Sequence, residues 1–199
     1  MDDIKIFNKW STEGIVVGDM GLQRYVTLKP RIVPKTSGRH IGTMFRKSKL
    51  TIVERFINKI MIPGHKSKKH KLTSGTKTGK GNKAFQIALD SFRLIEQRLK
   101  KNPVEVLVGA VENASQREEI ITIEYGGARY PKAVECSPQR RIDLALRLMT
   151  QGAFQKSFNS KKRIQECLAD EIIWAYSSDA KSNAISKKLE VERQADGAR

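Results

Sequence analysis

Apolar residues recur at helical spacing along most of this chain, and that spacing constrains the fold more than any other feature. In 52–61 they fall at i, i+1, i+4, i+5, i+8 and i+9, which places them on one side of a helix that ends before Pro63-Gly64. Comparable stripes run through 85–99, 104–111, 142–149 and 164–175, and a weaker one runs through 185–192. We therefore predict a mainly α protein, a bundle of about six helices.

Two of the predicted helices carry recognisable start signals. Asn102-Pro103 joins a residue type that caps helix N-termini to a proline that fits the first helical position, and Glu105 follows in the first turn. Ser137-Pro138 has the same form ahead of the stripe that contains Ile142. These signals indicate that new helices begin near these two prolines.

A hairpin pattern separates the third and fourth predicted helices. Residues 119–125 are rich in β-branched side chains, Gly126-Gly127 follows, and a second extended run covers 128–134. Both glycines can adopt positive φ, as a tight turn between paired strands requires. We predict a two-stranded β-ribbon over about 118–135 that protrudes from the helical body.

The two-residue turn also predicts the register of this ribbon. Glu124 should face Arg129, and Ile123 should face Tyr130 across the two strands. The predicted ribbon tip consists of Tyr125, Gly126, Gly127, Ala128 and Arg129.

Positive charge is concentrated in two segments of the chain. Lys and Arg number 38 against 21 acidic residues, which gives a net charge of +17. Residues 21–83 contain 17 basic groups and one acidic group, Glu54, and residues 131–163 contain eight basic and two acidic groups. Like charges repel in a compact state, so this imbalance indicates a polyanionic partner. Because the other segments are nearly balanced, we interpret the two basic segments as a binding face.

We expect the chain to consist of two parts. We assign 1–45 to a basic N-terminal extension that is partly extended, and 46–199 to a helical RNA-binding domain that carries the ribbon. The run 63–83 is rich in Gly, Ser, Thr and Lys, so we expect a loop without helix or strand that is mobile until it meets phosphates. A nuclear-localisation or nonspecific polyanion-binding patch is the alternative interpretation of this loop.

Known catalytic and metal-binding patterns are missing from the sequence. His65 and His70 are flanked by lysines that would repel a cation, and 75–81 is one residue too short for a Walker phosphate loop. Cys136 and Cys167 offer no disulfide framework, and we expect buried thiols. We predict no enzyme activity, no cofactor, no metal and no small-molecule substrate. The acidic start and the short apolar runs predict a cytoplasmic protein without membrane contact.

Composition and motifs together bear on which kind of nucleic-acid-binding protein this chain is. Aromatic residues total 13, which favours phosphate and shape recognition of folded RNA over stacking on single-stranded bases. A DNA-binding helix-turn-helix protein is a rival interpretation, but we find no clear recognition helix. A nucleic-acid enzyme is the third, and it would need carboxylate or Cys/His sites that we do not find.

The candidate RNA contacts are basic residues that lie in the two charged segments or beside predicted helix starts. Arg140 and Arg147 are seven residues apart and so share a helix face, while 161–163 open the fifth predicted helix, where an anion would be favourable. The full predicted set is Lys35, Arg39, Arg46, Lys47, Lys49, Arg55, Lys66, Lys68, Lys69, Lys71, Lys77, Lys80, Lys83, Arg129, Lys132, Arg140, Arg141, Arg147, Lys161, Lys162 and Arg163.

Several motifs resemble a known family in order and spacing. They are Phe45-Arg46-Lys47 and the segments 52–58, 102–108, 137–141 and 164–171. The chain resembles, over nearly its whole length, the universal small-subunit ribosomal protein S-seven family in its archaeal/eukaryotic form. The resemblance implies a helical bundle with a ribbon after the third helix and a primary rRNA-binding protein of the small subunit.

The same resemblance implies a place in the ribosome and a set of contacts. Family members bind the three-prime major domain of small-subunit rRNA, nucleate assembly of the head, and lie near the exit site for tRNA and mRNA, beside other small-subunit proteins. They use the basic N-terminal region, the first and fourth helices and the ribbon for RNA. By motif position this points to Arg46, Lys47, Lys49, Arg55, Arg140 and Arg141.

One departure from the family pattern concerns the ribbon. Bacterial members carry basic residues before the Gly-Gly pair, whereas this chain has Glu118, Glu119 and Glu124. The departure favours Arg129 and Lys132, on the return strand, as the ribbon's RNA contacts. Whether the ribbon touches tRNA is left open by the sequence.

Overall fold

Seven α-helices occur in the part of the chain that this computed structural model describes, which is residues 4–39, 42–66, 69–70 and 78–199. Five long helices and the shorter α2 form the helical body, and α1 is a single helical turn that precedes them. They are α1 (Met20–Gln23), α2 (Ile52–Ile60), α3 (Gly81–Leu99), α4 (Pro103–Ala114), α5 (Pro138–Ser157), α6 (Ile164–Tyr176) and α7 (Asn183–Asp196). The six predicted helices are confirmed as α2–α7. No helix of these described ranges is long and apolar enough to span a bilayer.

The predicted helix starts are also confirmed. Asn102 caps α4, since its side-chain oxygen accepts a hydrogen bond from the Val104 N–H at 3.0 Å. Helix α5 begins at Pro138 as expected, although the Ser137 side chain makes no capping hydrogen bond. A 3-10 turn, Arg46–Lys49, precedes α2.

Two pairs of antiparallel strands occur among the described residues. The short pair is β1 (His65–Lys66) with β2 (Lys69–His70), so the expectation that 63–83 contains no helix or strand was wrong for these residues, as it was for the start of α3. The long pair is β3 (Glu118–Tyr125) with β4 (Ala128–Glu135), which lies between α4 and α5, the third and fourth predicted helices.

The register of the long ribbon is the predicted one. Glu124 faces Arg129, and Ile123 faces Tyr130. Gly126 and its neighbour Gly127 have φ values of +57° and +81°, the left-handed conformation that the tight turn requires. Helix α7 lies beside the base of β3, while the tip is exposed.

The hydrophobic core sits between α2, α3, α4, α5 and α6. Phe56 of α2 stacks on Phe92 of α3 with ring centroids 6.2 Å apart. Residues 4–26 complete this core, because Ile6, Trp10 and Leu22 are buried in it. The N-terminal segment therefore belongs partly to the folded body, and a domain boundary at residue 45 stays a prediction.

Candidate nucleic-acid interface

The segment 27–39 is fastened to the start of α2. The Thr27 carbonyl accepts a hydrogen bond from the Ile52 N–H at 3.0 Å, and the Thr27 hydroxyl donates to the Ser48 carbonyl at 2.6 Å. Further on, the Thr36 N–H and hydroxyl both donate to Glu54 Oε1, at 2.7 and 2.5 Å. We call residues 27–39 the arm. These bonds hold its basic side chains beside those of the 3-10 turn.

The arm and the 3-10 turn together enclose a strongly basic cavity of about 390 Å³. We call it the arm basin and define it by the five cations that line it, which are Arg31, Lys35, Arg39, Arg46 and Lys49. Among the described residues that line it, none is acidic. A concave surface with one sign of charge concentrates counterions, so this basin is suited to phosphate groups.

The arm basin contains four predicted contacts and one that sequence reasoning missed. Lys35 and Arg39 of the arm are brought together with Arg46 and Lys49 of the 3-10 turn, all four from the first basic segment, 21–83. Arg31 was not selected because no motif or helix start marks it. Its place in the most basic segment of the chain was the available signal.

A second cavity of about 480 Å³ lies between the arm, α2 and the start of α3. We call it the α2 cavity, and it shares Lys35 with the arm basin. Lys47, a predicted contact, and Lys59, which was missed, also line it. Their charges continue the positive surface of the basin along α2.

Asp143 of α5 organises the cations on this side of α2. It accepts hydrogen bonds from Lys47 and, at 3.3 Å, from Arg55, and Lys59 Nζ lies 4.0 Å away. Burial would raise the pKa of Asp143, but the hydrogen bond from Lys47 and the charges of Lys59 and Arg55 outweigh it and lower the pKa. Asp143 is therefore a fixed anion that positions its basic neighbours.

Burial also lowers the pKa of Lys59, and the nearby charges of Lys47, Arg147 and Arg55 add to that effect against the attraction of Asp143. Several cations are thus crowded around one carboxylate. Arg147 itself is exposed on α5. A further anion on this surface would relieve the repulsion.

Two predicted RNA contacts, Arg55 and Arg141, are buried. The Arg55 side chain donates to the Tyr25 carbonyl at 3.1 Å as well as to Asp143. Arg141 donates to the Gln116 carbonyl at 3.1 Å and to Asp19 Oδ2 at 2.6 Å. Because two guanidinium nitrogens of each residue are bonded inside the protein, this placement speaks against direct phosphate contact by either residue. Both instead tie the N-terminal segment to the helical body.

Apart from Arg141, the cations of the second basic segment, 131–163, are exposed but partly neutralised. Arg140 makes two hydrogen bonds to Glu119, at 2.9 and 2.7 Å. Lys161, Lys162 and Arg163 are exposed just before α6, and Lys162 Nζ lies 3.7 Å from Asp170. Free cations are therefore less dense here than in the arm basin.

The ribbon combines exposed apolar side chains with balanced charges. Tyr125 at its tip is 81% exposed, and Tyr130 is also exposed. The predicted contact Arg129 lies 3.7 Å from Glu124, while Lys132 is exposed on β4. Arg199, near the end of α7, pairs with Glu118 at 2.5 Å.

Four further predicted contacts lie among the described residues. Lys80 and Lys83 are exposed at the start of α3, and Lys66 and Lys69 belong to β1 and β2. The predictions for Lys68, Lys71 and Lys77 fall outside the described residues.

The two cysteines are buried, as expected. Burial raises the pKa of both thiols, Cys136 and Cys167. No group of three or more His, Cys, Asp or Glu side chains within the described ranges is arranged to hold a metal ion.

Comparison with known proteins gives one family over most of the chain. The model of the family described as "Ribosomal protein S7p/S5e" matches residues 22–199. The chain is similar to the small ribosomal subunit protein uS7 of Nanoarchaeum equitans, with 51% identity over 196 residues, which cover 98% of this chain and 99% of the relative.

Two other relatives are similar over nearly their whole length. Protein uS7 of Methanothermobacter thermautotrophicus is 48% identical over 193 residues, covering 97% of this chain and 98% of that protein. Protein uS7 of Archaeoglobus fulgidus is 43% identical over 198 residues, covering all of this chain and 96% of that protein.

Proposed function

This chain belongs to the ribosomal protein S7p/S5e family, and on that premise we propose that it is a non-catalytic, structural constituent of the small ribosomal subunit that binds folded rRNA. As part of the ribosome it would act in the cytoplasm, with neighbouring small-subunit proteins as further partners. The observation that carries the RNA-binding role is the arm basin, five cations around one cavity with no acidic side chain among its described lining residues.

The arm basin suits phosphates better than it suits a protein surface. Each phosphate that enters releases counterions from the RNA, which favours binding and makes it dependent on salt. The guanidinium groups of Arg31, Arg39 and Arg46 match phosphate oxygens in two-pronged geometry. Lys47 and Lys59 extend the same positive surface along α2.

The finer location that we propose is the three-prime major domain of the rRNA, where the protein would nucleate assembly of the head near the tRNA and mRNA exit site. The arrangement of the molecule is consistent with this role. The helical body holds the basic arm at the start of α2, and a ribbon of two eight-residue strands lies between α4 and α5. We propose that Arg129 and Lys132 are the ribbon's contacts when it meets tRNA or mRNA.

Two measurements test the proposal. The protein should sediment with small subunits, and the full chain should bind a transcript of the three-prime major domain in a filter-binding assay at near-physiological salt. A transcript of the five-prime domain is the matched control and should bind much more weakly. Equal binding to both transcripts, or stronger association with ribosome-free DNA, would contradict the proposal and favour the rival DNA-binding function.

A further inference from the structure

Phe45 is the most exposed of the seven phenylalanines of this chain. It is 79% exposed, whereas Phe56 and Phe92 are fully buried and stack on each other in the core. Apolar surface in contact with water costs free energy. Single exposed apolar residues are nevertheless common on proteins, so the backbone and the neighbours of Phe45 decide whether its ring is placed for a partner.

The backbone of Phe45 fixes this residue in an unusual conformation. Its φ is +59°, in the left-handed region that bulky residues avoid. The Phe45 carbonyl accepts hydrogen bonds from the Ser48 hydroxyl at 2.7 Å and from the Ser48 N–H at 3.4 Å, and the Thr43 carbonyl accepts one from the Arg46 N–H at 3.4 Å. Strained conformations of this kind persist where the surrounding structure fixes them, and they cluster at ligand-binding sites. The turn 43–48 therefore displays Phe45 in a defined position.

The exposed ring adjoins the arm basin. Phe45 directly precedes Arg46, and Arg46 and Lys49 of the 3-10 turn line the basin. Consecutive Cα atoms are about 3.8 Å apart, so a phosphate bound by Arg46 brings the base of its own or of a neighbouring nucleotide within reach of Phe45. A nucleotide supplies an aromatic face and a negative charge together, as these two residues require. A purely apolar partner would strip water from the neighbouring cations without pairing them, which costs free energy.

Tyr125 at the ribbon tip is equally exposed but differs in its surroundings. It is 81% exposed, and it follows Glu124, whose carboxylate also lies 3.7 Å from Arg129. A phosphate beside Tyr125 would meet the negative charge of Glu124. Phe45, by contrast, stands beside a basin that has no acidic side chain among its described lining residues. Of the two rings, that of Phe45 is therefore the better placed for a nucleotide.

We propose that Phe45 is a stacking surface for one unpaired base of the RNA whose phosphates enter the arm basin. This inference rests on the proposed function and deepens it, since the ring acts on the same RNA that the basin binds. Every base has an aromatic face, so stacking on Phe45 selects no particular base. It selects an unpaired nucleotide, because neighbouring bases cover both faces of a base inside a duplex. Phe45 thus directs the arm basin to a loop or bulge of the folded RNA.

The first test compares side chains at position 45 in the full chain. Phe45→Leu keeps an apolar side chain but has no planar face, whereas Phe45→Trp offers a larger one. In filter binding to the three-prime major domain transcript, we expect the dissociation constant to rise about fivefold or more for Phe45→Leu, because the stacking is lost. Phe45→Trp should bind within about twofold of the wild type or more tightly.

Met44 provides the matched control. It is the adjacent residue and is 82% exposed, yet its side chain is not a planar ring. Met44→Ala should change the dissociation constant by less than about twofold, because it leaves the stacking surface in place. Both positions are exposed, so each variant should retain the circular dichroism spectrum of the wild type.

The second test observes the ring itself. The indole of Phe45→Trp adds emission to that of the buried Trp10 and the half-buried Trp174, and the wild-type chain measures that background. In the free protein the added emission should be quenched by acrylamide, since position 45 is exposed. Binding of the transcript should quench this emission directly and protect the indole from acrylamide, because a stacked base covers its face.

The outcomes separate this inference from the proposed function. Weaker binding by Phe45→Leu alone, together with a covered indole in the complex, supports the stacking site. The inference is overturned by itself if the wild-type chain binds the transcript while Phe45→Leu binds equally well, Phe45→Trp or Met44→Ala loses as much affinity, or the indole stays accessible to acrylamide. An accessible indole in the complex would assign Phe45 to a partner other than RNA. If the wild-type chain does not bind the transcript, the proposed function fails as well.

Discussion

The arm basin and the ribbon carry their charges in opposite ways. In the basin, Arg31 and four other cations line a cavity without an acidic neighbour among the described lining residues. At the ribbon, by contrast, carboxylates take up two basic side chains: Arg129 of β4 lies 3.7 Å from Glu124, and Arg140 at the start of α5 bonds Glu119 of β3. Local pairing with carboxylates, and not the number of Lys and Arg residues, therefore decides which cations are available to RNA.

A third class of cation sharpens this contrast. Arg55 and Arg141 come from the same basic segments, yet both are buried and bonded to Asp143 and Asp19. Their charge stabilises the fold that holds the basin in shape. Removal of a buried cation should therefore lower the stability of the fold, whereas removal of an available cation should lower the affinity for RNA more than removal of a paired one.

The largest effect should come from a buried cation. Arg55→Ala removes a guanidinium that is 2% exposed and leaves Asp143 and the Tyr25 carbonyl without one of their donors. We expect the free energy of unfolding to fall by about 3–5 kcal/mol, as for other broken buried pairs. Urea denaturation followed by circular dichroism measures it.

The control for this variant is Arg93→Ala. Arg93 pairs with Asp90 at 3.2 Å on the exposed side of α3, where such pairs contribute about 0–1 kcal/mol. Equal losses of stability for Arg55→Ala and Arg93→Ala would show that the buried cluster does not hold the arm side of the fold.

The next effect concerns RNA affinity at the arm basin. Replacing Lys35, Arg39 and Lys49 by Gln removes three cations. For each phosphate contact that is lost, RNA binding releases about 0.7–0.9 fewer counterions. We expect roughly a 10- to 100-fold weaker complex with the three-prime major domain transcript near 0.15 M salt. Filter binding measures the dissociation constant.

A set of paired cations provides the matched control. Replacing Arg93, Arg98 and Arg140 by Gln changes the net charge by the same amount, but these side chains pair with Asp90, Asp170 and Glu119. We expect only a few-fold loss of affinity. If the paired set costs as much as the basin set, net charge alone explains binding and the contrast disappears.

A smaller effect concerns stability in acid. Burial would raise the pKa of Asp19, but hydrogen bonds from Arg141 and the Gly21 N–H outweigh it and lower the pKa. A carboxyl whose folded pKa is lowered stabilises the fold above its unfolded pKa, near 3.9, and loses that contribution as the pH falls through the folded value. Asp19→Asn should therefore cost about 1–3 kcal/mol at neutral pH.

That cost should shrink below about pH 4, because Asp19 of the unfolded wild-type chain takes up a proton there and Asp19 of the folded protein follows at lower pH. Unfolding curves of both proteins between neutral pH and pH 2.5 or so measure the difference. A difference that stays constant down to the acid limit would show that the charge of Asp19 does not stabilise the fold through Arg141.

The smallest effect tests whether a paired cation can be released. Glu119→Gln removes the carboxylate that holds Arg140. We expect RNA affinity to rise about two- to threefold, because one more exposed cation can meet a phosphate. Glu105→Gln makes the same charge change away from Arg140, and an equal rise there would contradict the release of Arg140.

Local features of the fold could be predicted from sequence because their causes are local. The apolar stripes gave six helices, and Asn102-Pro103 gave a start that the cap of α4 confirms. The register of the ribbon followed from Gly126-Gly127, since a two-residue turn permits one pairing of the flanking strands. The short strands β1 and β2 escaped this reasoning, because their lysine-rich sequence has no strand pattern.

The site was only partly predictable because its geometry depends on distant contacts. The motif around Arg55 indicated an RNA contact. Arg55 is instead buried and bonds Asp143, which lies 88 residues later in the chain. The N-terminal residues Ile6 and Trp10 were assigned to an extension, yet both are buried in the core, where Trp10 packs against Phe92 of α3. Lys59 joins the positive surface only through the packing of α2 against α5.

A density map of the assembled small subunit is the most direct test of the central claim, that folded rRNA neutralises the arm basin. We predict rRNA phosphate oxygens at hydrogen-bonding distance, about 2.7–3.2 Å, from the basin's guanidinium and ammonium groups. A basin that faces solvent or the surface of another protein, with the rRNA bound elsewhere on the chain, would contradict the account.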